Sequence, residues 1–389
     1  MDFAFSEEQE ALRGEARRYL GERYPAGRVA ELADGAAGWD PSSWRELAAM
    51  GWLGRSLPAR HGGDGRDGGD VGDGGVLDEA VLLEEAGRSL YPGPLFTTLG
   101  LALPSLAAGA AADDTPLRAV VAGELAVTLA WTEAGGPVAI APEAAAGCVA
   151  QELDDWRLTG TKRLVPDLGL ADAAIVVARV ADGGAHHPAA GDEVGLWLVD
   201  LRADRSVVVE RATVDTTRRV GELVLDGTPA TLLVGPERAA AVLAETRRKA
   251  FALLACEAVG VADHALGLAA EYARTREAWG RPIGSYQGVS HRIADVYATT
   301  ELARSLAYWA AWAVAAGDEA AGTACAAAKA AAGEAAVFAT ESAIQVYGGR
   351  GFIWSTPIHR WYKRALWIDA FAGHGATHRR DLAAALLDG

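Results

Sequence analysis

Two short stretches carry residues whose types and spacing suit chemistry as well as packing. In Tyr272-Ala-Arg-Thr-Arg-Glu-Ala-Trp-Gly-Arg-Pro-Ile-Gly-Ser-Tyr-Gln287, Tyr272 and Arg276 stand at i, i+4 spacing on one helix face, and Gly280 and Pro282 then act as terminators of that helix. An arginine there would by itself do no more than offset the helix dipole. In Gln345-Val-Tyr-Gly-Gly-Arg-Gly-Phe352, three glycines (Gly348, Gly349, Gly351) close an alanine-rich segment that otherwise reads as helix. Each glycine in a helix costs roughly 1 kcal/mol relative to alanine, so a compensating role is expected. Other chemistries are poorly served. Cys148, Cys256 and Cys325 are scattered, without CxxC spacing or a nearby histidine pair, and read as reduced buried thiols with no metal site. Neither a GxxxxGK[ST] loop nor a strand-following GxGxxG is present.

The elements that must position these stretches follow from hydrophobic periodicity. From Phe5 to about Ala122 the spacing is helical, as in Leu12, Ala16 and Leu20 and again in Val76, Val81, Leu82 and Leu83. A glycine- and aspartate-rich tract from Leu57 to Gly75 interrupts it and is expected to be an exposed mobile loop. Between Gly123 and Val234 the period becomes two, predicting strands over Ala126–Trp131, Trp156–Val165, Ala174–Val180, Val194–Leu201, Ser206–Glu210 and Leu223–Leu225. Pro236 suits a first helical position, and helices are expected over about 236–276, 286–316, 318–346, 357–372 and 376–387, with Thr356 as N-cap of the fourth. The domain reading is 1–122 helical, 123–235 β and 236–389 helical.

The chain has 389 residues, half of them apolar, enough for two or three domains with a sizeable core. Its formal charge of −16 repels polyanions, which argues against a nucleic-acid partner. The first twenty residues are acidic and amphipathic, unlike a signal peptide, and the longest charge-free apolar run, Leu306 to Ala316, is short of the ~20 residues that cross a bilayer. A cytoplasmic protein without a membrane partner is expected.

Taken with the helix-strand-helix order, the first stretch resembles the acyl-CoA dehydrogenase signature YxxxRxxFGxPIxxFQ. Tyr272, Arg276, Gly280, Pro282, Ile283 and Gln287 are in register, with Trp279 and Tyr286 where phenylalanine is usual. The resemblance continues in His291 and Ala294-Asp295, in Gln345-Val-Tyr-Gly-Gly-Arg-Gly351 (the family's QxxGGxG), in the opening MDFAFSEEQ, in Trp44 to Gly54 with Pro58 and His61-Gly-Gly63, and in Trp131-Thr-Glu-Ala-Gly-Gly136. It covers nearly the whole chain. It implies an α+β multidomain fold with an N-terminal helical domain, a central β-barrel or sandwich and a C-terminal four-helix bundle, assembled into dimers or tetramers. It also implies FAD with its pyrophosphate across a subunit interface, held by Arg276 and Gln287 of one chain and Gln345, Gly348 and Gly349 of its neighbour, with Trp279 supplying flat apolar surface. A guanidinium gives planar, permanently charged recognition of phosphate, and glycines admit backbone amides close to anionic oxygens. The resemblance further implies that Trp131 and Thr132 belong to the segment that faces the flavin ring and the acyl thioester.

Family chemistry removes a proton from the α carbon of an acyl thioester while hydride leaves the β carbon for flavin N5, so a carboxylate base with a raised pKa is required. The usual glutamate position falls at Ala372 and the less common one at about Ala250, so both are vacant. Substitutes in the sequence are Glu257, on the helix face of residue 250 but about 10 Å along the axis, His374, two residues past the vacant position and of a type that titrates near neutral pH, and Glu133, beside Trp131 and Thr132. The C-terminal segment from Tyr362 to Arg379 resembles an actinobacterial subgroup that includes pairs of different chains acting on bulky acyl-CoA thioesters, one chain having lost catalytic residues. Three readings follow: a desaturase of an acyl thioester, on CoA or a carrier protein, that passes electrons to an electron-transfer flavoprotein or oxygen; a non-catalytic partner subunit that completes the FAD site of another chain; and a biosynthetic enzyme of the same fold with altered chemistry.

Overall fold

The computed structural model describes residues 5–63, 75–111, 113–145, 147–181, 193–202 and 205–387. Most of the tract expected to be a mobile loop, residues 64–74, lies outside these. Helix α1 (Glu7–Arg23) begins with a capping box, in which the Ser6 side chain accepts from the Gln9 amide and the Gln9 side chain accepts from the Ser6 amide. Its buried residues Leu12, Ala16 and Leu20 follow the expected four-residue step. Then come α2 (Ala26–Asp34), α3 (Ser42–Ala49), α4 (Val76–Ser89), a π-helical segment Thr97–Ala102 running into α5 (Leu103–Gly109), and α6 (Thr115–Val121).

The central region forms a seven-stranded sheet of β1 (Val127–Ala130), β2 (Val149–Glu152), β3 (Trp156–Pro166), β4 (Ala173–Val180), β5 (Val194–Asp200), β6 (Ser206–Arg211) and β7 (Val220–Val234). Strands pair in the order β4-β2-β3-β7-β5 and β5 pairs back onto β4, so the sheet closes on itself, with β1 beside β4 and β6 beside β7. Its core holds Cys148, Leu158, Val165, Val176, Trp197, Leu223 and Leu225. Two strand expectations need correction. The four-residue β2 was not anticipated, and β7 runs well beyond Leu223–Leu225. Leu158 pairs with Thr228 while Thr159 pairs with Asp226, leaving Gly227 as an extra residue at φ +65°. That bulge absorbs the break in alternation and lets the strand continue past Pro229.

Helix α7 (Pro236–Thr275) follows, then a small hairpin of β8 (Glu277–Ala278) and β9 (Arg281–Pro282), α8 (Gln287–Ala316), α9 (Ala321–Tyr347), α10 (Ile358–Ala370) and α11 (Gly375–Leu387). The cap of α10 differs from expectation: Pro357 stands at the N-cap with no side-chain cap bond, so Thr356 does not fill that role. Among the described residues one helix, α7, is long and apolar enough to cross a membrane by length and composition, and 72% of its most apolar stretch is buried inside the protein, as in a core helix. Contacts divide the chain into two compact units that do not follow chain order: Met1–Ala36 with Gly69–Pro92 and Phe251–Gly389, and Ala37–Gly68 with Gly93–Ala250.

Candidate functional site

Both unusual stretches belong to the first unit, and both prove more structured than their residue types required. After Arg276, whose amide donates to the Tyr272 carbonyl at 2.8 Å, the chain turns through Trp279 (φ +50°) and Gly280 (φ +79°) at the tip of the β8-β9 hairpin. Two consecutive positive φ values match the tight turn that right-handed strand twist favours. The Ile283 amide donates back to the Arg276 carbonyl at 2.8 Å, the Tyr286 hydroxyl donates to the Ala278 carbonyl at 2.9 Å, and the Arg281 guanidinium lies 4.1 Å over the Tyr286 ring. Trp279 is left 91% exposed. Gly280 and Pro282 thus serve a hairpin rather than a simple helix stop.

The three glycines lie beyond α9, in the 3₁₀ turn Gly348–Phe352, so the helical cost expected for them does not arise. Gly348 adopts φ +58°, ψ −135°, open to glycine and rarely to L-residues. A Cβ on Gly351 would fall 2.5 Å from the Ile344 carbonyl oxygen, whereas one on Gly349 would meet nothing within 4 Å. The fold therefore accounts for two of the three, and Gly349 presents bare backbone to open space.

That backbone, with Tyr272, Arg276, Ile283, Val346, Tyr347 and Arg350, lines a cleft of about 350 Å³. The Tyr272 and Tyr347 rings stack at 4.2 Å and 14°. Burial, then the neighbouring Tyr272, raises the Tyr347 hydroxyl above its ordinary pKa. Neither Arg276 nor Arg350 has an ion-pair partner among the described residues, although Arg17, Arg118, Arg211, Arg304, Arg360 and Arg364 all take carboxylates. Unneutralised guanidiniums, accessible backbone and flat rings fit the phosphates and aromatic end of a dinucleotide such as FAD. Within one chain Arg276 and Gly349 line the same cleft. Gln287 opens α8 and Gln345 sits on α9, both exposed, and with Gly348 they adjoin lining residues in sequence without lining the cleft themselves.

In the second unit, Trp131, Thr132 and Glu133 follow β1 and are fastened to β3. The Arg163 amide donates to the Thr132 carbonyl at 2.8 Å and the Thr132 hydroxyl donates to the Arg163 carbonyl. Lys162, fully buried, donates to the Trp131 carbonyl at 3.3 Å and to Glu133 Oε1 at 2.5 Å. The Cys148 amide donates to the same oxygen at 3.0 Å and the Gly147 amide to Oε2. Glu133 is thus an internal staple that ties the 133–148 loop to the sheet. Burial pushes the adjacent Cys148 thiol up to about 11, which keeps it protonated and inert. A bulge in β3 between Lys162 and Val165 leaves Leu164 at φ +52° and 60% exposed.

The other candidate proton acceptors lie in the first unit and are not brought together with the cleft lining. Glu257 on α7 and Arg364 on α10 form an ion pair with side chains 1% and 0% exposed. His374 is exposed, its Nδ1 3.0 Å from Asp369 Oδ2. Sequence reasoning passed over His378, which is 2% exposed, holds its Nε2 2.9 Å from the Gly373 carbonyl and meets the Phe251 ring edge-on at 4.8 Å. Because a carbonyl only accepts, Nε2 carries the proton and Nδ1 keeps a lone pair, which has no hydrogen-bond partner among the described residues. Burial, then the nearby Lys329, lowers His378 to about 4, so the ring is neutral near pH 7. Ala250 is fully buried, and Ala372, at φ +53°, nearly so.

Comparison with known proteins shows the family. The acyl-CoA dehydrogenase N-terminal domain model matches residues 6–113 and the C-terminal domain model residues 239–387. FadE27 of Mycobacterium tuberculosis, an acyl-CoA dehydrogenase, is 31% identical over 87% of this chain and 86% of its own length. The chain belongs to the acyl-CoA dehydrogenase family. The M. tuberculosis relative FadE34 is 30% identical, and the chain spans 45% of its length. Among solved structures, a variant of the Tcur3481-Tcur3483 steroid ACAD superposes with TM-score 0.81 at 32% identity over 98% of both chains. The ChsE4-ChsE5 complex from M. tuberculosis gives TM-score 0.84 at 27% identity over all of both chains. For an acyl-CoA dehydrogenase family member, an FAD-dependent oxidoreductase by family, the buried alanines Ala250 and Ala372 are the residues that bear on the expected base.

Proposed function

We propose that this chain is a subunit of an FAD-dependent acyl-CoA dehydrogenase acting on an acyl thioester, that it supplies phosphate-binding groups to the cofactor, and that a second, different chain supplies the α-proton base. The observation that carries this is the contrast between two regions of one chain. Arg276, Arg350 and Gly349 are open and unneutralised, while buried alanines occupy both carboxylate positions and Glu133 and Glu257 are locked in buried ion pairs. FAD, when bound, takes up the hydride that leaves the β carbon. This chain's residues bind its phosphates and, through the Lys162-Glu133 staple, hold the backbone of Trp131 and Thr132 in a fixed conformation. The similarity to complexes whose names join two chains supports a hetero-oligomer, a dimer or tetramer in the cytoplasm, with an electron-transfer flavoprotein or oxygen as acceptor.

The test is purification of the chain alone, with flavin quantitation and anaerobic mixing with acyl-CoA thioesters. Little flavin and no bleaching of it is the expected outcome, with both restored by co-purification with a carboxylate-bearing family member. A flavin-loaded homo-oligomer that is reduced by a thioester would sink the proposal.

One observation favours a second reading, in which the chain desaturates on its own. His378 offers a neutral imidazole with an unpartnered Nδ1, hydrogen-bonded to the residue after Ala372 and packed against the residue after Ala250. On that reading His378→Gln abolishes flavin reduction by thioester while flavin content is kept.

A further inference from the structure

We infer, resting on the subunit proposal above, that Phe96 plugs the place an acyl thioester would take in this chain, so that the complex binds thioester only in the chain that carries the carboxylate. A general base must come within hydrogen-bond reach of the proton it removes. The space beside position 250, the less common base position of the family, is therefore where the reacting end of a thioester belongs. In this chain protein atoms fill it. Ala250 and Phe96 are both 0% exposed. A Cβ on Gly100 would fall 3.1 Å from the Phe96 ring and 3.6 Å from the Ala250 Cα, so ring, glycine and α7 backbone meet at one point. Interiors are close-packed, with few voids larger than a water molecule, and a thioester reaches Ala250 here only by displacing the ring.

The ring is held rather than hinged. The Arg218 guanidinium lies 5.2 Å over it, in a residue only 2% exposed, and sits 4.0 Å from Asp167 Oδ2. The residue after Phe96 is tied to the same carboxylate, the Thr97 hydroxyl donating to Asp167 Oδ2 at 3.2 Å, and the Thr98 hydroxyl donates to the Val127 carbonyl at 3.1 Å. Phe96 is the N-cap of the buried π-helical segment Thr97–Ala102. Such turns are rare and recur at functional sites, and this one sets Phe96 and Gly100 together against α7. A gate that opens for substrate keeps an exposed edge, and Phe96 has none. Alanine at position 250 and the ring packed beside it are then two parts of one change: a chain that does not remove the proton has no use for a bound thioester.

The experiment uses the flavin-loaded complex of the full chain with the carboxylate-bearing family member that co-purifies with it, as the parent and as F96A. The probe is S-hexyl-CoA, a thioether with no thioester to oxidise, and its stoichiometry is read by calorimetry with thermal unfolding as the fold control. The parent is expected to take up one S-hexyl-CoA per pair of chains and F96A two, at the same flavin content; none for the parent and one for F96A would support the plug equally. Two per pair in the parent, or the same number in parent and F96A, overturns it. Should F96A melt too low to assay, F96V opens part of the same space and is read in the same way. If the chain alone is flavin-loaded and reduced by a thioester, the subunit proposal fails and the plug with it. Two S-hexyl-CoA per pair in a complex whose chain alone carries no flavin strikes the plug only.

Discussion

Replacing Glu257 by glutamine separates a structural glutamate from a catalytic one. The Arg364 side chain is fully buried and Glu257 is its ion-pair partner, contributed from another helix. Glutamine keeps the size of the side chain but removes the carboxylate charge that faces the buried Arg364 guanidinium. Breaking a buried pair in this way costs about 3–5 kcal/mol. The compact unit that contains it has about 200 residues, for which 1 kcal/mol corresponds to roughly 2–4 °C, so the melting temperature should fall by about 6–20 °C. Calorimetry of E257Q, R364M and E257Q/R364M would show it, and the double variant should recover part of the loss because no lone charge remains. Residual flavin reduction, measured well below the lowered melting temperature, should be unchanged. A variant that melts with the parent yet has lost turnover would refute the structural assignment and restore Glu257 as a base.

The remaining predictions concern the other tied or constrained groups. K162M leaves Glu133 without its cation and should cost about 3–5 kcal/mol; an unchanged melting temperature would count against the staple. G348A, at φ +58°, should lower stability by about 1–3 kcal/mol, whereas G349A has room for its methyl group and should leave the melting temperature alone while weakening FAD retention. His264, stacked on Trp361, and His378, near Lys329, Asp369 and Asp381, are both held at about 4 against an ordinary 6.5, burial being the main cause. The unfolded chain therefore binds protons that these folded sites refuse between those values, so their contribution is intact above about pH 6.5 and is lost as pH falls towards 4. Denaturant titrations should show stability declining through that window, with a flatter slope in H378Q; the same slope in parent and variant would refute it.

Elements governed by local spacing were readable from the sequence, while those decided by pairing were not. The five C-terminal helices lie within a few residues of where periodicity placed them, because each keeps its apolar step over many turns and ends at a glycine, a proline or a tight turn. β7 looked like three residues because Gly227 and Pro229 break its alternation, and only pairing across a bulge to β3 shows that the strand continues. The α10 cap was misassigned for a similar reason: Thr356-Pro357 has cap-like composition, yet the turn that seats Pro357 needs no side-chain oxygen. The cleft was half visible. Its two stretches announced themselves by residue type, but the cleft they line depends on where α7 and α9 end.

The candidate bases show why residue type alone misleads about acid-base work. A carboxylate acts as a general base only if its lone pairs can reach the substrate's proton, and that depends on what else approaches them. For Glu133 the approach comes from Lys162, 29 residues on, and from two amides across a loop; for Glu257 it comes from Arg364, 107 residues on. Neither contact leaves a mark on the local sequence, and both carboxylates are committed before any substrate arrives. His378 illustrates the converse. Its environment leaves Nδ1 unpartnered and its charge suppressed, yet in sequence it is an ordinary histidine in a helix of charged neighbours. A search for the proton acceptor is therefore better directed at what each candidate's lone pairs meet than at residue type, and His378 is a buried group of the first unit whose Nδ1 has no partner among the described residues, beside Gly373 and Phe251.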